Sequence, residues 1–409
     1  MTARMRGFMP TPTVLKLFIF VGIVWAALVG PGSVVLILTN IGATNSQIGI
    51  FTGISAALSM VFQPVWGMIS DKIGSPRRVL CFCLLGSIIF FGCVLLTGNF
   101  YIAVVLLLLD IIFRCGIVGL LDSHTIAEVN VIPGLQYGHI RLAGSVFFGL
   151  LSLAYSGVIN NFGVMAVIPI SIVITISAVC WGLFVAKGKS EQNESEEHDG
   201  IKRVKPNLKR DALSLLTNTK YIMLILFIAI SALALQPLWV FLIAFVEEVG
   251  GNPGHVPLIH ALRCVVEIPL FIFVGSRCKA VSSQKLMIAG MFFMFVYVLI
   301  LMFANSLFWV AAAHLIGGTP GFIFGLTGRL RYLNEVTPES VRSTSITLMG
   351  TVELGLGAIL GNIIAGFVLD RAGIQMLMVF SFGVLVVASA VLVFIALGRK
   401  RTVEINEIV

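Results

Sequence analysis

Apolar residues occupy this chain in long runs, each closed by a charged residue, a Gly or Pro, or an Asn. Those breaks predict helices over 14–39, 46–69, 78–97, 101–126, 138–160, 163–186, 219–246, 255–275, 285–304, 307–330, 342–367 and 374–397. A helix crosses a bilayer with about 20 apolar residues, and each run reaches that length. The expected fold is an all-α membrane protein with twelve transmembrane helices.

The connections alternate between nearly uncharged ones (40–45, 98–100, 161–162, 305–306) and ones rich in Lys and Arg. All but three of the 27 Lys and Arg fall on one side, Arg329, Arg331 and Arg342 among them. Arg371 lies on the other side, and Arg114 and Arg263 lie inside predicted spans. Such an excess marks cytoplasmic loops, so both termini are expected in the cytoplasm.

Six helices precede a polar stretch at 187–218 and six follow it. Landmarks in the two halves keep an offset of 201–211 residues: Gly67 answers to Gly275, Arg141 to Arg342, and the last spans end at 186 and 397. A duplication follows, with an N-terminal six-helix bundle at 1–186, a cytoplasmic linker at 187–218 and a C-terminal bundle at 219–409. A solute pathway is expected between the bundles.

Composition sharpens the exclusions. The chain is 58% hydrophobic and 11% charged, where soluble domains carry about 25% charged residues. The net charge of +8 then reflects loop asymmetry, not nucleic-acid binding. A secretory signal fails at the N-terminus, where the apolar run is too long and lacks a small-residue cleavage site. The seven Cys are scattered without metal-ligand or disulfide spacing. No Gly-x4-Gly-Lys-Ser/Thr, His-Glu-x-x-His, Cys-x-x-Cys or Ser-centred elbow occurs. Neither an ATP-driven pump nor an enzyme is indicated, and no cofactor or metal is expected.

After the second predicted helix stands GMISDKIGSPRR, residues 67–78. Gly67 lets a neighbouring helix approach, Asp71 closes the span, Gly74 makes the turn, and Arg77 and Arg78 anchor the third helix at the cytoplasmic face. This pattern resembles the signature loop of the major facilitator superfamily, with Ser75-Pro76 as a one-residue lengthening. The second-half copy, Gly275-Ser276-Arg277-Cys278-Lys279, lacks the acid. The resemblance implies a cytoplasmic latch in which Asp71 faces Arg342 at the start of the eleventh helix, where the helix dipole also favours an anion.

The segment Tyr137-Gly138-His139-Ile140-Arg141-Leu142-Ala143-Gly144-Ser145, with an acidic residue before it, resembles the lactose-permease-like proton symporters and their phenylpropionate and nucleoside relatives. The resemblance implies that Arg141 and Asp122, or Glu128 in its place, hold the solute. His314 stands on the tenth helix with no acid beside it, so the coupling residues of that branch do not transfer.

Ionisable residues inside spans are costly and usually face a pathway. They are Asp110, Arg114, Asp122, Arg263, Glu267, His314 and Glu353. Asp110 with Arg114 and Arg263 with Glu267 are spaced i,i+4 and can pair. Proton coupling is assigned to Glu353, Glu267, Asp110 and Arg263, with Glu353 first because its own helix offers it no partner. Solute binding is assigned to Asp122, Arg141, Arg114, His314, Trp25 and Trp239, the tryptophans as stacking plates. The expected protein is a monomeric secondary transporter of the bacterial inner membrane. It takes up a small polar solute, with sugars or oligosaccharides ahead of nucleosides and aromatic acids, and sodium stays open as an alternative to protons. A proton-driven exporter is the competing class.

Overall fold

The computed structural model describes residues 12–132, 135, 137–184, 217–337 and 342–406, without the side chains of 342–344, 347, 356 and 397–406. Most of the 187–218 linker, both chain ends and the Arg342 side chain therefore lie outside the described residues.

The described secondary structure is helical. α1 spans Pro12–Asn40, α2 Asn45–Ile73, α3 Pro76–Leu96, α4 Phe100–Asn130, α5 Tyr137–Phe162 and α6 Val164–Phe184. In the second half α7 spans Thr219–Val240, α8 His255–Arg277, α9 Ser283–Met302 and α10 Leu307–Val336. A last element, Leu348–Ala396, runs for 49 residues. At about 1.5 Å per residue it is more than twice the roughly 30 Å hydrocarbon thickness. It breaks at Gly373, whose φ of 73° is left-handed. That break gives α11 (342–372) and α12 (374–406), so each predicted run falls on a helix.

Helix starts follow local chemistry. Thr44 and Gln47 form a capping box at α2: Thr44 N–H donates to Gln47 Oε1 at 2.9 Å, and Gln47 N–H donates to Thr44 Oγ1 at 3.2 Å. Ser75 caps α3, with Pro76 at its first position. Asn99 caps α4 and Asn218 caps α7.

The chain divides into two compact units, Met1–Val34 with Val61–Lys202 and Val35–Met60 with Arg203–Val409. In the first, α1 packs on α5 and α6, and α3 packs on α4 and α6. Their shared core includes Phe20, Val24, Leu80, Cys83, Leu84, Leu121, Ile140 and Ala178. In the second, α7 packs on the last element and α9 packs on α10.

The second unit also holds the first half of α2. Asp370 accepts from the N–H groups of Asn45 and Ser46 at 3.1 and 2.7 Å, so α11 supplies a carboxylate to the positive end of α2. A Cβ at Gly49 would strike Asn362 O, and one at Gly366 would strike Asn45 O. Two backbones meet there because these positions carry no side chain.

Gly74 makes the turn, with φ of 69°. Nothing among the described residues lies within 4 Å of a Cβ built on Gly67. Arg77 is buried in the first turn of α3, and donates to the Gly182 and Leu183 carbonyls. It neutralises the negative end of α6, as cations at helix C-termini do. Asp71 and Arg78 are exposed.

Candidate functional site

In the first unit the solute candidates gather at the start of α5. Tyr137 Oη donates to Asp122 at 2.7 Å, and the Arg141 guanidinium carbon stands 4.0 Å from the Trp25 ring centroid. Tyr137 and Arg141 are one helical turn apart, so both reach the same patch. Arg141 attracts Asp122 and also reaches Tyr137. The Trp25 indole N–H is buried with no acceptor. Aromatic ring, carboxylate, phenol and guanidinium thus converge, a set suited to hydroxyl-bearing solutes. Tyr137 was visible in the quoted segment, but its role depends on the α4–α5 turn bringing Asp122 back to it.

Asp110 and Arg114 sit elsewhere. Asp110 is fully buried, accepts from Ser87 on α3, and stands 3.1 Å from Arg114 Nε. These contacts fasten α4 to α3.

In the second unit a cavity of about 240 Å³ is lined by Ser231, Gln236, Trp239, Arg263, Arg329 and Glu353 among others. Arg329 Nη1 donates to Glu353 Oε1 at 2.8 Å. Glu353 therefore has a partner after all, contributed by α10. Arg329 had been placed with the cytoplasmic charges because the apolar run ends at 330. The helix continues to Val336, which puts Arg329 about 10 Å inside its end and leaves it 9% exposed.

Glu353 lies in a π-helical turn, Val352–Gly357, and His314 lies in another, Ala313–Gly318. Such turns insert one residue into an α-helix and often accompany functional sites. His314 is fully buried, bonded to Tyr297 Oη at 3.0 Å and to Val310 O at 2.9 Å. It packs behind the cavity and does not line it.

Arg263 stands 4.3 Å from the Trp239 centroid, while the ring of Trp239 stacks on Tyr297 at 5.5 Å and 20°. Trp239 thus packs against Arg263 and Tyr297 while it also lines the cavity. Glu267 Oε2 is 3.9 Å from Arg263 Nε, beyond hydrogen-bond range. Tyr297 and Arg329 carry weight in this site without any signal in the sequence pattern that singled them out.

Long apolar helices in two units, with charged and aromatic residues gathered inside them, define a multi-pass membrane transporter. The chain belongs to the MFS_1 like family, whose model matches residues 20–382, and the protein is a transporter and not an enzyme. It is 23% identical over 371 residues to the uncharacterized transporter YwbF of Bacillus subtilis (strain 168), covering 88% of each chain. It is 24% identical over 376 residues to the maltose permease of Geobacillus stearothermophilus, again covering 88% of each. The crystal structure of a mutant of the nucleoside transporter NupG superposes with a TM-score of 0.78 at 15% identity, covering 94% of this chain and 100% of that one. At that identity the likeness establishes the fold alone.

Proposed function

We propose that the protein is a proton-coupled symporter that takes up a small polar organic solute by alternating access, with both termini in the cytoplasm of a bacterial cell. The observation that carries this reading is the ion pair of Glu353 and Arg329 in a cavity wall deep within the helices. A carboxylate there trades its cation for a proton when the cation is drawn away, which is what a coupling group must do. Arg263 and Glu267 supply a second, looser pair beside it.

Sugars or oligosaccharides are the leading solutes. Asp122, Tyr137 and Arg141 offer acceptors and donors for hydroxyl groups beside Trp25, and one relative is named as a maltose permease. Nucleosides and aromatic acids follow. The test is uptake into proteoliposomes with maltose, glucose, uridine or phenylpropionate. Accumulation driven by an inward proton gradient, with alkalinisation of the outer medium, supports symport. Loss of preloaded solute driven by that same gradient would replace it with export, and dependence on sodium at constant pH would replace the coupling ion.

A further inference from the structure

Arg263 and Arg329 line the same cavity. Each has its Nε atom enclosed and without an acceptor. Arginine cannot shed its proton, and an enclosed charged donor left unpaired is costly. The ionisable groups in the wall are these two arginines and Glu353. Glu267, the carboxylate nearest Arg263, stands at 3.9 Å and outside the wall. The wall thus holds two fixed positive charges against one carboxylate, with Glu267 just behind it as the loose partner of Arg263. Its neutral polar groups are few, Ser231 and Gln236, and the rest of the wall is aromatic, Met, Gly or aliphatic.

We infer that the transported solute carries a carboxylate, which is held by Arg263 and Arg329 and binds together with a proton on Glu353. This rests on the symport reading above and, among its small polar solutes, puts acidic ones such as sugar acids and aromatic acids ahead of neutral sugars. When Glu353 takes a proton, Arg329 loses its only carboxylate at 2.8 Å, and the solute's carboxylate replaces it one charge for one. The cavity's net charge is the same before and after, so proton and solute each strengthen the other's binding by the same factor. A neutral sugar leaves both Nε donors without a charged acceptor. A phosphate ester carries two negative charges, which the two arginines would meet once Glu353 is protonated, so it is the rival anion that the test separates from a carboxylate. At about 240 Å³ the cavity lies just under the roughly 300–1,000 Å³ of most ligand pockets, which suits one ring-sized acid.

The experiment is thermal stabilisation of the purified full-length protein by matched pairs: glucuronate against glucose, phenylpropionate against phenylpropanol, and glucose 6-phosphate as the dianionic control. The expected result is that a carboxylate raises Tm at pH 5.5 more than at pH 8, while its neutral twin does not. Arg263→Lys, which keeps the charge and the fold but not the planar donor set, is expected to weaken that acid at least tenfold, and Arg329→Gln to remove the pH difference. The inference is overturned if no carboxylate in the panel stabilises more than its twin, if the phosphate ester outdoes every carboxylate, or if the effect survives unchanged in both variants. Proton-driven uptake of a neutral sugar would overturn it while leaving symport standing. An acid that binds as described but ignores the proton gradient would keep the site and remove symport.

Discussion

Arg329 Nη1 stands 2.8 Å from Glu353 Oε1, joining two helices of the second unit. Each charge offsets the other's burial, and removing one partner costs less than the roughly 3–5 kcal/mol of a fully buried pair, because the two side chains keep 10% and 20% of their exposure.

Glu353→Gln is expected to abolish accumulation against a gradient while leaving solute exchange across the membrane intact, because the amide cannot carry a proton. Counterflow and gradient-driven uptake in the same proteoliposomes separate the two. Parallel loss of both would make Glu353 a structural residue.

Arg329→Gln alone should lower Tm by several degrees, and the double variant Arg329→Gln with Glu353→Gln should recover much of the loss. The recovery is the coupling energy of the pair, read from a double-mutant cycle. Additive losses would mean that the two residues act separately.

Tyr137→Phe removes the hydrogen bond to Asp122 at 2.7 Å and keeps the ring. A bond to a charged acceptor contributes about 1.5–3 kcal/mol to stability, so Tm should fall by a few degrees, and KM for uptake should rise because Asp122 loses the group that orients it. An unchanged KM for uptake would take Asp122 out of the solute site.

Gly49→Leu and Gly67→Ala should behave oppositely. The first drives a side chain into the Asn362 carbonyl and should cost about 1–3 kcal/mol, as overpacking does. The second meets nothing within 4 Å and should leave Tm within a degree. The comparison asks whether the second glycine of this pair, though part of the signature loop, is held by packing at all.

Asp370→Asn weakens the carboxylate that α2 receives from α11 at Asn45 and Ser46. The loss should resemble that of an N-cap, about 0.5–2 kcal/mol, seen as a lower Tm that added salt narrows.

The helices were legible because a bilayer enforces long apolar runs and their breaks are charges, prolines and glycines. The caps at Thr44, Ser75, Asn99 and Asn218 are local as well. The site was legible in part. Arg263 with Glu267 and Asp110 with Arg114 follow from spacing on one helix. The Arg329–Glu353 pair does not, because its members come from two helices 24 residues apart in sequence, and the arginine looked like a cytoplasmic charge. Trp239 was legible as an aromatic in the site, but only packing reveals its contacts with Arg263 and Tyr297.

The turn at Val352–Gly357 has a bearing on how this helix tolerates change in length. An α-helix turns about 100° per residue, so losing one residue elsewhere swings everything beyond it to a new face. A turn that already carries one residue in excess can lose it and relax to regular winding, with the downstream face kept. Single-residue deletion is therefore absorbed within that one turn, and what it forfeits is the aim of the carboxylate at Glu353.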